Sequence, residues 1–444
     1  MTDMIFEFEW ENPEAARGPE LRATWGRFSV YVDNEAVTRL EDKQAASIRK
    51  AVYGPLYPIA EWIVKNWWSL LNETATPRRE ATAPYWRRHN LAAAGEGFAL
   101  PSLFFRPEGH QMRLDWRRRP AIPHRVEFLS EGNAVVDLKQ AMETLSNFVT
   151  AVVTRLEQQG VADSYLSDEW LAIRSADAEE RSFCKAVGQL GLDPYDLDEK
   201  ASETVIRLAS SLPETIWEEF FAAADPGRFR DQGDDIESFL HESHQSDLDL
   251  APFRDVRHQF QNAAPTETSD LFPWNVGYEA AKSLRTILNV PPGKPISSIQ
   301  AVGDLFHLPP SLWRQAITYR NGLWRYAIDA AVATSRRESP CFALGQRHER
   351  GQVFTLCRAI FEYLTGSGPP AAIVTPSHSE NQKRNRAFAA EFIAPAEQIR
   401  DHISGEVATD EDIQEMADVF GTSEFVIRHQ IQNHRIAAIS EWTR

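Results

Sequence analysis

Cysteine is scarce in this chain: Cys184, Cys341 and Cys357 lie far apart in 444 residues. An odd, widely spaced set excludes a disulfide framework and predicts reduced thiols in a cytoplasm. Long apolar runs are missing too. The longest candidate, Tyr57 to Leu71, is broken by Glu61, Lys65 and Asn66, well short of the roughly 18 apolar residues of a membrane span. The first residues, MTDMIFEFEWENPEAA, have no basic segment followed by an apolar one, which predicts no secretory signal. Positive charge is in deficit, with 47 Lys and Arg against 64 Asp and Glu and a net charge of −17. Such a chain repels a phosphate backbone on average, so nucleic acid is not the default partner, and without an apolar run no membrane is expected either. There is no internal repeat and no low-complexity tract.

What is abundant is the material of a core. Apolar residues make up 43% of the chain, and 13 Trp and 24 Phe supply large buried surfaces. The length suggests about three domains, and the pattern divides accordingly into an α+β multidomain chain. Residues 1–134 form a β-rich N-terminal module. TWGRFSVYVDNEAVTRL alternates about an Asp33-Asn34 turn and predicts a hairpin. Gln44 to Leu71 predicts helix, interrupted at Gly54-Pro55 and Pro58. SLFFRPEGHQMRLDW predicts a second hairpin at Glu108-Gly109, and RVEFLSEGNAVVD a third near Gly132-Asn133. Residues 135–265 form a helical middle domain and linker, with helices at Leu138 to Leu156, Glu179 to Leu190, Glu199 to Leu208 and Pro213 to Ala223. The polar segment QNAAPTETSD predicts the next boundary. Residues 266–444 predict a mainly helical domain with a short sheet: helix at Val276 to Leu288, strands at Leu323 to Ala333, Pro340 to Leu344 and Ala371 to Thr375, helix at Gly351 to Leu364, and a long helix Gln382 to Ile403 kinked at Pro395.

Two segments of this last region carry a pattern, FTLC (354–357) with its following turn, and FAAEFIAP (388–395). Together with the amphipathic GYEAAKSLR (277–285), they resemble the ImmA/IrrE family of bacterial metallopeptidases over about 170 residues. The resemblance implies a zincin-type domain in which one helix offers two histidines at i and i+4, a glutamate beside the first serves as general base, and a second helix adds a carboxylate. Here the histidine positions are Arg358 and Glu362, the base position is Ala359, and the segment before Phe388 reads QKRNRA. Gln382, Arg384 and Arg386 therefore stand where a carboxylate is expected. No ligand set survives, and a fixed guanidinium opposes a divalent ion. The expectation is a degenerate centre with no metal and no cofactor, in which Arg358 and Glu362 pair across one helical turn with help from Arg384 or Arg386.

Other chemistry is thinner. His241 and His244 are three apart in an acidic stretch and predict a solvated segment, and His348-Glu349 predicts a loop. Cys357 beside Arg358 is a nucleophile only if the thiol is activated. Asp410 to Phe420 and Ser423 to Asn433 predict a helix pair with the Ala417, Gly421, Ile427 spacing of a helix-turn-helix. Arg428, Gln430, Gln432 and Asn433 are its candidate base contacts. Arg78-Arg79, Arg87-Arg88 and Arg117-Arg118-Arg119 lie close to Trp86 and Trp116 and predict a sheet edge or protein interface. Trp62, Trp67 and Trp68 predict core. The preferred expectation is a non-catalytic, cytoplasmic, regulatory or scaffold protein that binds a partner protein. The resemblance implies a bacterial stress-response, mobile-element or defence setting and a helix-turn-helix regulator as partner. The alternatives are an active metallo-endopeptidase with unusual ligands and a DNA-binding regulator.

Overall fold

The computed structural model describes residues 3–11, 18–95, 97–118, 126–161, 163–263, 272–320, 322, 324, 327–345, 349–366, 371–403 and 405–439. The chain is mixed α+β and forms two compact units, Met1–Ile206 and Arg207–Arg444. This division differs from the boundaries expected near 134 and 265. Among the described residues, no helix is long and apolar enough to cross a membrane. The linker segment QNAAPTETSD lies largely outside the described residues.

The first unit opens with β1 (Met4–Trp10), α1 (Pro19–Ala23), β2 (Trp25–Val32), β3 (Glu35–Ala36), β4 (Leu40–Asp42), β5 (Ser47–Arg49) and β6 (Val52–Pro55). β2 lies between β1 on one side and β3 and β6 on the other, all antiparallel. The β2–β3 hairpin turns where expected, with Asp33 and Asn34 both at positive φ, as a tight primed turn requires. The helix expected from Gln44 begins only at α2 (Tyr57–Lys65), which α3 (Trp67–Asn72) follows. The reason is local. The Asp42 carboxylate accepts from the amides of Gln44 and Ala45, and Ala46 takes a left-handed φ of 46°, so the chain reverses into β5.

Short helices α4 (Pro77–Glu80) and α5 (Ala83–His89) then lead to β7 (Ser102–Glu108) and β8 (Gln111–Arg117), the second expected hairpin. The third hairpin does not form. β9 (Val126–Phe128) pairs with β4, and β10 (Gly132–Asp137) pairs with β8. Gly132 is not a turn residue: a Cβ there would lie 2.6 Å from the Trp116 ring. The helices α6 (Leu138–Gln158), α7 (Tyr165–Ser175) and α8 (Ala178–Gln189) follow, each begun by a side-chain cap from Asp137, Ser164 or Asp177. Helix α6 buries Leu145, Phe148, Val149 and Val152 in one core with Phe28, Leu70, Phe105 and Leu114.

The division between units falls inside α9 (Glu199–Ser211). The second unit continues with α10 (Glu214–Ala223), α11 (Phe229–Gln245), α12 (Ala251–Ala263), α13 (Pro273–Ile287), α14 (Ile299–Leu305) and α15 (Pro310–Gln315). A small sheet follows: β11 (Ile317–Arg320), β12 (Ala330–Thr334), β13 (Pro340–Gly345) and, after α16 (Glu349–Thr365), β14 (Ala372–Val374). Its order is β11-β13-β12-β14, with β11 parallel to β13. The strand expected over Leu323 to Ala333 is found at Ala330–Thr334, while 323, 325 and 326 lie outside the described residues. Helix α17 (Glu380–Ile393) packs on α16 and along α13. Gly277 permits that second contact, since a Cβ there would lie 2.3 Å from the Arg384 carbonyl oxygen. The expected kink at Pro395 is a break: α17 ends, and Pro395 caps α18 (Ala396–His402). The chain closes with β15 (Val407–Ala408), α19 (Asp410–Phe420), α20 (Glu424–Asn433) and β16 (Ala438–Ile439).

Candidate functional site

Arg358 projects from α16 into the interior of the second unit, where its side chain is 4% exposed. A buried guanidinium must find acceptors for its donors, and it finds four. Nη1 donates to Asp329 Oδ2 at 2.8 Å and Nε to Asn385 Oδ1 at 2.7 Å. Nη2 donates to the Thr375 carbonyl and to Gln382 Oε1, each at 2.7 Å. The partners come from every side. Asp329 sits just before β12, tied through its own amide to the Val374 carbonyl. Thr375 follows β14, and Gln382 and Asn385 lie on the first turns of α17. Gln382 is itself fixed, accepting from the Thr375 amide and donating to the Ile373 carbonyl.

Glu362 lies one turn beyond Arg358, but the expected direct pair is not what links them. The Asn385 side-chain amide stands between, accepting from Arg358 and donating from Nδ2 to Glu362 Oε1 at 2.7 Å. Asn381 Nδ2 reaches Glu362 Oε2 at 3.2 Å. Burial pushes the Glu362 carboxyl up to about 7 against these two amides, with Glu219 adding to the rise and Arg358 opposing it. Glu219, on α10, is also raised by burial, and it accepts from Ser377 Oγ at 3.2 Å and Ser379 Oγ at 2.5 Å. Arg386 donates to the Ser377 carbonyl at 2.7 Å. Its own pKa is lowered to about 9 by burial and by the positive charge of Arg358. Ala359 is fully buried and apolar. Arg384 is half-buried on α17, where its backbone carbonyl faces Gly277 of α13.

These residues do not fit a zinc ion. The acceptors around the first expected ligand position all receive hydrogen bonds from a permanent cation, and the second position holds a carboxyl whose proton is retained toward neutral pH. Among the described residues, no group of three or more His, Cys, Asp and Glu side chains could hold a metal. His241 is exposed on α11 beside Gln245. His348 lies outside the described residues. Cys357 is buried, and burial raises its thiol pKa, so Arg358 does not activate it.

The C-terminal pair α19–α20 forms as expected, with Gly421 left-handed at the turn and a capping box at Thr409 and Asp412. Its DNA-reading candidates are mostly engaged elsewhere. Gln430 is buried and donates to Glu391 Oε2 at 2.8 Å and to the Ala394 carbonyl at 2.9 Å. Arg428 pairs with Asp410 at 2.5 Å, and Asn433 hydrogen-bonds Tyr278. Gln432 is exposed. Residues 410–433 contain six acidic side chains and one arginine, the wrong balance for a phosphate backbone.

In the first unit, Trp62 and Trp67 are core, as expected. The arginine clusters are structural in part: Arg79 donates to the Gln189 carbonyl at the end of α8, and Arg88 grips Glu73 with two bonds of 2.7 Å. Arg117 and Arg118 are exposed, and Arg119 lies outside the described residues. Glu73 also meets His89 Nε2 at 3.0 Å. Burial raises its pKa, but His89 and Arg88 outweigh burial and hold it at about 2. Gly191, at φ 73°, closes over this pair, where a Cβ would lie 2.4 Å from Glu73 Oε1.

Comparison with protein-family models, with curated proteins and with solved structures finds no match for this chain.

Sequence reasoning located Arg358, Glu362, Gln382 and Arg386 but missed Asp329, Thr375, Asn385 and Glu219. Only Asp329 left a signal, as the single charged residue in the run IDAAVAT.

Proposed function

We propose that this chain is a non-catalytic regulatory or scaffold protein that binds a partner polypeptide, with residues 266–444 a degenerate ImmA/IrrE-like unit. The observation that carries this reading is the Arg358 guanidinium, buried and committed to four oxygen acceptors where the resemblance puts the first metal ligand. An arrangement so fully satisfied stabilises a fold and leaves no open position for a reacting water. The bacterial regulatory or defence setting, and a helix-turn-helix protein as the partner, follow from the resemblance alone.

The test is elemental mass spectrometry on purified, tag-free protein, together with gentle affinity purification from cells. Near-zero zinc and one co-purifying protein in stoichiometric amount, unaffected by chelator, are the expected results. About one zinc per chain with chelator-sensitive proteolysis would restore the peptidase. Recovery of no partner, with tight salt-dependent binding to DNA, would overturn the reading in favour of a DNA regulator.

A further inference from the structure

Among the described residues, strand β1 has a strand partner on one edge only. Its register with β2 sets Glu7 opposite Ser29 and Glu9 opposite Arg27. The bonds at the two ends of the ladder, Asp33 N–H to the Asp3 carbonyl and Glu11 N–H to the Trp25 carbonyl, fix which residues face β2. Backbone direction alternates along an antiparallel pair. Ile5, Glu7 and Glu9 therefore turn their amides and carbonyls toward β2, and Met4, Phe6, Phe8 and Trp10 turn theirs the other way. At Met4 that outer edge is closed by side chains of α6: Gln140 Nε2 donates to its carbonyl at 2.8 Å and Thr144 Oγ1 at 3.1 Å. At Phe6, Phe8 and Trp10, no strand pairs with it among the described residues.

The strand is packed against α6 through its inner face all the same. The Phe6 and Phe8 rings pack on Phe148 of α6 at 5.5 and 5.6 Å, and the Arg155 guanidinium lies 5.5 Å from the Trp10 ring centroid. On the opposite face, Glu7 and Glu9 are exposed beside an open groove of about 450 Å³ that also takes in Phe6, Phe8, Arg27 and Ser29. Exposed edges of this kind are templates for another strand.

We propose that the free edge of β1 is a docking site for an extended segment of a different protein, added as a further strand, with Lys or Arg at alternate positions facing Glu7 and Glu9. The charges choose between occupants. A second copy of β1 laid antiparallel on the first sets Glu7 against Glu7 or Glu9, or Glu9 against Asp3, in each register that places Phe6 or Phe8 opposite Phe6 or Phe8. Like charges placed opposite each other are destabilising. A strand with alternating basic residues meets Glu7, which has no cation paired with it among the described residues, and Glu9, which shares the Arg27 guanidinium at 3.1 Å. The proposal stands on β1 and does not depend on the reading of residues 266–444, so zinc content has no bearing on it.

The experiment uses the full-length protein and three short peptides: alternating valine and lysine, the same charge interrupted by proline, and alternating valine and glutamate. Amide hydrogen exchange is followed by NMR. The expected result is that the Phe6 and Phe8 amides exchange fast in the free protein and become protected by the valine–lysine peptide alone, while those of Ile5 and Glu7 are slow throughout. In Glu7→Lys/Glu9→Lys the preference reverses by about tenfold toward the valine–glutamate peptide. Slow exchange of Phe6 and Phe8 in the free protein, equal binding of the proline peptide, or an unchanged preference in the charge-reversed variant would each overturn the proposal.

Discussion

Each unit buries a glutamate, and the two carboxylates meet opposite fates. Burial alone would raise both. Glu73 in the first unit is nonetheless held at about 2, while Glu362 in the second rises to about 7. The difference lies in who touches the oxygens. Glu73 receives a bidentate arginine and a histidine directly. Glu362 receives two side-chain amides, and the nearest guanidinium is bonded to the far side of one of them. The positive charge of Arg358 is committed to Asp329 instead. A buried carboxylate is thus fixed as an anion by direct contact with a cation, and a relay through a neutral amide does not substitute for it.

The largest expected effect is on the cation shared in the second unit. Arg358→Ala removes the guanidinium from the buried Asp329 carboxylate and should lower stability by about 3–5 kcal/mol in chemical denaturation. In double-mutant cycles Arg358 should couple to Asp329 by more than about 1 kcal/mol and to Glu362 by less. A stronger coupling to Glu362 would break the comparison. In the first unit, Glu73→Gln strands Arg88 beside a neutral amide and should cost about 3 kcal/mol at pH 7. Glu362→Gln should cost far less under the same conditions, because it copies the protonated form.

The pH dependence sharpens the contrast, and its two limbs have opposite signs. Glu362 binds its proton more tightly folded than at the ordinary value of 4.5, so its contribution is present below that value and is lost as pH rises toward about 7. Glu73 binds its proton less tightly when folded. Its contribution is present above about 4.5 and is lost as pH falls toward 2. Denaturation midpoints across pH should show Glu362→Gln flattening the upper limb alone and Glu73→Gln the lower limb alone. A smaller effect than that of Glu73→Gln belongs to Gly191→Ala, which adds a clash and a strained φ over the Glu73–Arg88 pair. A loss of about 1–3 kcal/mol, read as a lowered thermal midpoint, is expected there.

What the sequence disclosed and what it hid follow from the range of the forces. The Asp33-Asn34 and Gly109 turns were legible because a hairpin turn is decided by the residues that make it. The Gly132-Asn133 dipeptide looked the same but answers to the Trp116 ring, sixteen residues back and across a strand. The Gln44 segment looked helical because the decisive group, the Asp42 carboxylate, sits just before it. In the second unit, helical spacing was enough to set Arg358 and Glu362 on one face. It could not reveal that Asn385, brought in by α17, would offer its oxygen to one and its nitrogen to the other. Asp329 and Thr375 reach Arg358 from just before β12 and from the end of β14, and no local pattern marks them as its partners.

Gly277 has a mechanical consequence. The α13 backbone seats against α17 at that one notch, with no room for a carbon atom before the Arg384 oxygen or the Phe388 nitrogen. Sliding α13 by one residue would shift it about 1.5 Å and turn it by about 100°, presenting Val276 or Tyr278 to a gap that accepts neither. The notch therefore works as an index pin. It sets how far α17 is inserted, and with that the depth at which Gln382 and Asn385 meet Arg358, from a helix that contributes no side chain to their contact.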